Sequence, residues 1–458
     1  MAVRLFNRLF IKYTFIRSKI SKIIILSVII LLIIYSVKSK SQIIYIYIMS
    51  NPQSLHVVLH VPEGLEFVAV DDIKESLKGK ITEEATFLSE PKTGRVHLMV
   101  QTTKPSQIIQ SLKSATLLSV YSVTLVVSET NIPQSTFDDP QLTYDFTNDV
   151  TLASPWENAL EAVSIASGSN SSDLAPTFRA TFHKGQLKNS AQSQKLAGYI
   201  GFAFSQRHPD WKVKLTEYDQ EVVALWFRST EKAMLERLAS CADHGEDGPI
   251  VLLLGLTIPI KDPKYRNRVH VGRTSLNPCI AYCLARLADP KPGQVILDMC
   301  CGTGTIPLEG ASKYPSTMWI GSEVNLRTLC VKAKGNLEHS GVNNVDLMVG
   351  DGRCLALRSG CIDTVVCDWP WGLREGSYSA IQKLYPKFIK QIGRVLPTHG
   401  KALIVTQGQK LFNRVLAYSW SKDMWTTDSI IPIGIGGYDV YLYILIKKEP
   451  KPSAETTS

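Results

Sequence analysis

The chain has 458 residues, 45% of them hydrophobic and 20% charged, an ordinary globular composition with room for two or three domains. Its net charge of +9 is not a nucleic-acid footprint: residues 1–48 carry eight Lys or Arg and no acid, so the remainder is close to neutral. The nine cysteines lie from Cys241 onward without a Cys-x-x-Cys pair, which argues against a zinc ribbon or thioredoxin-type motif and for reduced thiols, with no metal site expected.

Within residues 1–48, Ile23 to Val37 is apolar apart from Ser27 and Ser36. It is 15 residues long, short of the roughly 18–20 that span a bilayer. The bias toward Ile, Lys, Tyr, Phe and Ser, followed at once by Met49, reads as a dispensable extension or translated non-coding sequence. A membrane anchor and an organelle presequence are the competing readings.

From Leu55 the pattern is globular. LHVVLHV (55–61) reads as a strand, and Leu65, Val68, Ala69, Ile73 and Leu77 fall at helical spacing. Strands at 85–88 and 95–101, a helix opened by Pro105 and a strand at 117–127 complete a βαββαβ order, that of a ferredoxin-like unit. The polar stretch 128–154 reads as a linker, so the first domain with its linker occupies 49–150. A second α+β unit fills 151–260. It has a short helix near 156–165, a flexible loop at 167–173, strand 177–183 and helix 190–206. Strands 211–216 and 221–228, a helix-like segment within 229–248 and an apolar strand 250–258 complete it.

A basic stretch, Lys261 to Arg273, and a helix at 276–288 open the last domain, 261–448. The apolar run from Val295 and strands 317–322, 345–349, 362–367 and 401–406 alternate with helices from Thr305 and at 325–339, 380–395 and 408–418. That alternation predicts an α/β fold, a mostly parallel seven-stranded sheet with helices on both faces. Strands 427–433 and 439–447 add an antiparallel hairpin. The polar tail 449–458 is expected to be disordered.

Four features of this last domain carry chemistry. Asp298 ends an apolar run, and a loop follows with Cys301, Gly302, Thr303 and Gly304. A strand, a glycine turn and a helix let the backbone approach a nucleotide-like ligand closely. No Lys-Ser/Thr follows Gly304, so this is not a Walker-type phosphate loop. Glu323 ends the next strand, where a carboxylate can accept both ribose hydroxyls. Asp351, between Gly350 and Gly352, ends the strand after it and can receive an adenine amine. Asp368-Trp369-Pro370-Trp371 ends strand 362–367. Each has a bland alternative: helix caps for Glu323 and Asp351, a plain turn for the glycines, core packing for Trp369 and Trp371. All four in register at the carboxyl ends of adjacent strands favour a ligand site.

These residues resemble class I S-adenosylmethionine-dependent methyltransferases, which have a Rossmann-like sheet. Asp368–Trp371 is similar to the Asn/Asp-Pro-Pro-aromatic signature of enzymes that methylate exocyclic amines, with Trp369 where the signature has proline. A base amine is a poor nucleophile because its lone pair is delocalised into the ring. The resemblance assigns one hydrogen of that amine to the Asp368 carboxylate, the other to the Trp369 carbonyl, and base stacking to Trp371. Such acceptors stabilise the positive charge that develops as the methyl arrives, and base–aromatic stacking is worth roughly 1–3 kcal/mol.

The resemblance extends along most of residues 55–448. LHVVLHVPEGLEFVAVDDIKESL (55–77), TFRATFHKG (177–185) and YRNRVHVGRTSLNPCIAYCLARL (265–287) are similar to segments of THUMP-domain RNA methyltransferases. DMCCGTGTIPLEGA (298–311) and DWPWGLREGS (368–377) resemble their THUMP domain-containing protein 3 branch. Met299 replaces a proline usual there, and 229–248 looks like an insertion. The resemblance implies S-adenosylmethionine as cofactor and tRNA as substrate. It implies methylation of a guanine N2 at position six of the acceptor stem, and a THUMP RNA-binding domain at 151–260. It also implies a small zinc-containing activator subunit and a cytoplasmic, also nuclear, setting. Arg179, Lys184 and Lys188 in the THUMP region, and Arg266, Arg268 and Arg273 before the sheet, are the expected RNA contacts; a solvated face is their bland alternative. A paired guanine must be flipped out at a cost of a few kcal/mol.

Two other readings compete. One is the same reaction on another structured RNA, such as a small nuclear RNA. The other is a non-catalytic RNA-binding protein, which calls for a degraded cofactor site, whereas Asp298, Gly302, Gly304, Glu323 and Asp351 are all present.

Overall fold

The computed structural model describes residues 53–168, 175–185, 187–229, 248–372 and 377–450. The extension 1–48, most of the loop expected at 167–173, the helix-like segment within 229–248 and the end of the polar tail lie outside these residues. Nearly all of the described elements belong to one compact unit, Leu55–Met99 with Pro105–Ser458.

Two sheets organise it. The first runs through β1 (Gln53–His60), β2 (Ala85–Leu88), β3 (Arg95–Thr102), β4 (Ser122–Ile132), β5 (Thr177–His183), β6 (Lys212–Val213), β7 (Gln220–Arg228) and β8 (Ile250–Ile258). Its strand order is β2-β3-β1-β4-β8-β7-β5-β6. With helices α1 (Glu66–Leu77) and α2 (Pro105–Ser114), the first four strands form the βαββαβ unit that the sequence predicts. The sheet does not stop there. β4 pairs antiparallel with β8 from Val123↔Ile258 to Ile132↔Ile250, so the expected first and second domains share one sheet. β8 lies between β4 and β7, which explains its apolar run: a central strand is buried on both faces. Gly255 sits beside the bulge in β4, where a Cβ would lie 2.3 Å from the Leu125 carbonyl oxygen.

The stretch 128–154 is not a linker. It contains the end of β4, a short helix α3 (Gln134–Asp138) and α4 (Pro140–Ala153), and a boundary at residue 150 falls inside α4. Asp139 caps α4, accepting from the amides of Gln141 and Leu142, with Pro140 preset at the first helical position. Its buried face is threonine: Thr143, Thr147 and Thr151 recur every fourth residue. Each hydroxyl donates to the carbonyl four residues back, at 2.8, 2.7 and 2.7 Å. A polar stretch is thereby buried with its hydrogen bonds satisfied. Helices α5 (Trp156–Ser167) and α6 (Ser193–Arg207) follow, and the strand expected at 211–216 shrinks to β6.

The second sheet comprises β9 (Val295–Asp298), β10 (Met318–Glu323), β11 (Val345–Val349), β12 (Thr364–Asp368), β13 (Lys401–Thr406), β14 (Trp425–Ile435) and β15 (Tyr438–Lys447). Its order is β11-β10-β9-β12-β13-β15-β14, parallel through β13 with β15 antiparallel, as the alternating pattern predicts. Helices α7 (Pro278–Ala288) and α8 (Thr305–Lys313) belong to the apolar core on one face, which includes Ile280, Leu284 and Trp319. The opposite core joins Tyr385, Phe388 and Ile392 of α10 (Tyr378–Val395) to Phe412 of α11 (Gln409–Leu416). The expected helix 325–339 is a π-helical turn, Thr328–Ala333, continuing into α9 (Lys334–Ser340). A further helix, α12 (Ser419–Met424), lies beyond the expected end of α11.

The first sheet's α1 is fastened to the second sheet's α7. Leu65 and Val68 enter the core that holds Ile280 and Ile433. Buried Asp72 accepts the Tyr282 hydroxyl at 2.5 Å and the Ser119 amide and hydroxyl at 3.0 and 2.7 Å. Arg286 reaches Glu75 at 2.6 Å.

Candidate functional site

β9 delivers Asp298 into the interior, and the chain then turns through Met299–Gly304 into α8. The Cys301 amide donates to the Ser322 carbonyl at 2.9 Å, and the Gly304 amide to the Cys301 carbonyl at 2.8 Å. Gly302 and Gly304 adopt φ of 54° and 83°, backbone that favours glycine. A Cβ on Gly302 would meet nothing within 4 Å, so the main chain there faces open space. The Gly302 amide donates to Glu323 Oε2 at 3.1 Å, and the Asn325 amide to Oε1 at 2.8 Å. The carboxylate of Glu323 is thus oriented by main-chain donors beside the loop. Val324 and Leu326, exposed just past the carboxyl end of β10, and Val349 at the end of β11 add apolar surface there. The sequence carried a signal for these three, an apolar residue on or just past a strand's carboxyl tip beside an acid, which a search restricted to polar groups passes over.

Burial first, and then the charges of Asp368 and Glu323, push the Asp298 carboxyl up to about 7 against bonds from Cys367 and the Cys300 amide. Three acids around one loop suit a cationic ligand. Asp351 lies just past the carboxyl end of β11, where the sequence placed it, and already has a partner. Its carboxylate is held by the Arg353 guanidinium at 2.9 and 2.8 Å, an exposed pair that an incoming amine must displace or share. Gly352 serves packing, since a Cβ would lie 2.6 Å from Met299 Cε. Cys301 is buried against Leu329 and Ala333.

At the carboxyl end of β12, Asp368 Oδ1 accepts the Trp371 indole N–H at 3.0 Å. The half-buried Trp371 ring meets Tyr438 edge-on at 6.1 Å. The Trp369 ring is core, 1% exposed and packed against Tyr385, Phe388 and Phe412 at 4.8–5.5 Å. Its amide donates to the Val405 carbonyl at 3.0 Å. The Tyr385 hydroxyl donates to the Pro370 carbonyl at 3.0 Å and lies 2.6 Å from Thr406 Oγ1. Tyr385 and Thr406, both unread in the sequence, therefore fix a loop that lacks its second proline. Leu373–Gly376 lie outside the described residues.

The expected RNA contacts divide. Arg266 is drawn inward: its Nε and second guanidinium nitrogen reach the buried Glu309 carboxylate at 2.9 and 2.8 Å. Arg268 is buried too, donating to the carbonyls of Lys264 and Leu276 at 2.7 Å each and to Thr305 Oγ1 at 3.1 Å. Both arginines hold the segment before α7 onto α8. Arg179 pairs with Glu221 on the neighbouring strand and lies over the Tyr218 ring. Lys184 donates to the Asn189 carbonyl. Lys188 and Arg273 are exposed. Among the described residues, no group of three His, Cys, Asp or Glu side chains is placed to hold a metal. No described helix is long and apolar enough to cross a membrane, and Ile23–Val37 lies outside the described residues.

A doubly wound sheet of this order, with glycine loop and acids at its carboxyl edge, defines a Rossmann-like methyltransferase fold. Residues 263–428 match the family model UPF0020, the RMKL-like methyltransferase domain. The chain is similar to human tRNA (guanine(6)-N(2))-methyltransferase THUMP3, 30% identical over 59% of this chain and 51% of that protein. It is similar to tRNA (guanine(6)-N2)-methyltransferase of Thermus thermophilus, 32% identical over 31% of this chain and 43% of that one. Among solved structures, TrmN from Thermus thermophilus superposes with a TM-score of 0.60 and 19% identity, covering 86% of this chain and 99% of that one. The chain spans about half the length of the curated relatives it matches first.

Proposed function

We propose that this protein transfers a methyl group from S-adenosylmethionine to the exocyclic N2 amine of a guanosine in tRNA, at position six of the acceptor stem. The observation that carries the reading is the placement of Asp368–Trp371 at the carboxyl end of β12, one strand from the Gly302–Gly304 loop and on the same edge of the sheet. The similarity to tRNA guanine-N2-methyltransferases supports the substrate.

The residues present fit the cofactor. Gly302 gives backbone access, Glu323 receives the ribose hydroxyls, and Val324 and Leu326 offer apolar surface to the base. Asp351 would meet the adenine amine by sharing its carboxylate with Arg353, and Asp298, raised by burial, would give up its proton beside a bound cation. Bound S-adenosylmethionine supplies an electrophilic methyl on a sulfonium. The remaining work falls to the chain. Asp368 accepts one hydrogen of the guanine amine while the Trp369 carbonyl accepts the other, so the lone pair is aimed at the methyl. Trp371, tethered to Asp368 and propped by Tyr438, offers its ring to the base. The Tyr385–Pro370 bond keeps this loop from sagging away.

The test is nucleoside mass spectrometry of tRNA from cells lacking the protein: N2-methylguanosine at one acceptor-stem position disappears, and unchanged levels would reject the reading. A second reading, N2 methylation of a small nuclear RNA, is favoured by similarity to human U6 snRNA (guanine-N(2))-methyltransferase THUMPD2, 26% identical over half of this chain. The same experiment on small RNAs separates the two. A small zinc-containing activator belongs to the proposal as a partner, tested by whether the purified chain turns over alone. The setting proposed is the cytoplasm, with the nucleus as a second location.

A further inference from the structure

Between β8 and α7 the chain forms a strap, residues 261–277, and its middle is sewn to the cofactor loop. The stitch is Asn336. It is fully buried, and all its polar capacity is used. Its Oδ1 accepts the amides of Val269 and His270 at 2.9 and 2.7 Å. Its Nδ2 donates to the carbonyls of His270 and Thr303, each at 2.9 Å. One side chain therefore binds both the strap and the residue between the two loop glycines. The neighbouring Gly335 is left bare for the same purpose: a Cβ there would lie 2.7 Å from the His270 ring. A second stitch joins Ser275 Oγ to Thr303 Oγ1 at 2.9 Å, and Ser275 also accepts the Gly272 amide at 2.7 Å.

The helix that presents Gly335 and Asn336 is preceded by the π-helical turn Thr328–Ala333. A π turn takes one extra residue and rotates the next helical segment by roughly 100° relative to an uninterrupted α-helix. That rotation turns the Gly335–Asn336 pair toward the strap, while Leu329 and Ala333 pack against Cys301 of the loop. Meanwhile Val271, Arg273 and Thr274 at the strap's tip are exposed.

We propose that this strap couples the two substrates: an occupied cofactor loop fixes the strap, and its tip then grips RNA more tightly, with Asn336 as the positioning residue that links them. The proposal rests on the reading that the second substrate is RNA. Coupling of this kind is reciprocal and typically amounts to about 5–150-fold in affinity.

The experiment measures tRNA binding to the full chain by fluorescence anisotropy, with and without saturating S-adenosylhomocysteine. Wild type is expected to bind tRNA at least about fivefold more tightly with it. Asn336→Asp keeps the acceptors for Val269 and His270 but sets carboxylate oxygen against the Thr303 carbonyl, and the ratio falls to about one. Ser275→Ala, at a half-buried position, lowers the same ratio without touching the buried stitch, should Asn336→Asp fail to fold. Equal tRNA affinity with and without S-adenosylhomocysteine in wild type, or full coupling kept in folded variants, would overturn the inference while leaving the reaction intact. No binding of either ligand to wild type would overturn the reaction itself, and the inference with it.

Discussion

The two sheets treat charge in opposite ways. In the second, strands β9 to β12 run parallel, so their carboxyl ends bring Asp298, Glu323 and Asp368 to one edge from positions far apart in sequence. Backbone amides and an indole N–H then orient Glu323 and Asp368. In the first, mixed sheet, basic residues are consumed where they stand: Arg179 by Glu221 beside it, Lys184 by a loop carbonyl. A parallel sheet concentrates function at an edge by its topology, whereas a mixed sheet must build a binding face residue by residue.

That contrast can be broken or sharpened by experiment. The largest effect expected is on stability. Arg266→Gln strands the buried Glu309 carboxylate, whose pKa burial already raises, and should cost about 3–5 kcal/mol in denaturant unfolding. A loss below about 1 kcal/mol, the scale of an exposed ion pair, would restore Arg266 as a candidate RNA contact. Next, Asp368→Ala should lower methyl transfer by roughly 10²-fold or more with cofactor affinity retained; calorimetry with S-adenosylhomocysteine separates the two. Gly310→Ala forces a methyl to within 2.1 Å of the buried Trp319 ring, and about 1–3 kcal/mol of stability should be lost.

A smaller effect is set by pH. Burial raises the Asp298 carboxyl from 3.8 to about 7, so between those values the folded protein keeps a proton that the unfolded chain releases. Its contribution to stability is therefore complete below about 3.8 and is lost as pH rises through about 7. Asp298→Asn should flatten that slope, seen in unfolding midpoints collected from about pH 5 to 8. Smallest of all, Lys188→Ala should reduce the salt slope of tRNA binding by about one, while Arg179→Gln leaves it nearly unchanged. The reverse ranking would mean that Glu221 releases Arg179 to the RNA.

Legibility in the sequence followed the same divide. Strands 250–258, 345–349 and 401–406 were marked by apolar runs with clear ends, and the strand-end acids announced themselves by position. Helix α4 did not, because its buried face is threonine and its satisfied hydroxyls look like a linker's polarity. The roles of Arg266 and Arg268 were hidden for another reason: a charge shows in sequence, but Glu309 and the Leu276 carbonyl, which hold them, are revealed only by folding. The π-helical turn likewise has no periodic signature of its own within so short a segment.

The pairing of β4 with β8 sets an order of events in synthesis. β4 is complete by residue 132, yet the strand that flanks it arrives with residues 250–258. At ribosomal rates of about 5–20 residues per second the nascent chain waits on the order of ten seconds with that edge uncovered. An open edge strand is a template for wrong partners. A nascent chain arrested between these two strands should therefore offer chaperones that open edge, and one extended past residue 258 should no longer offer it.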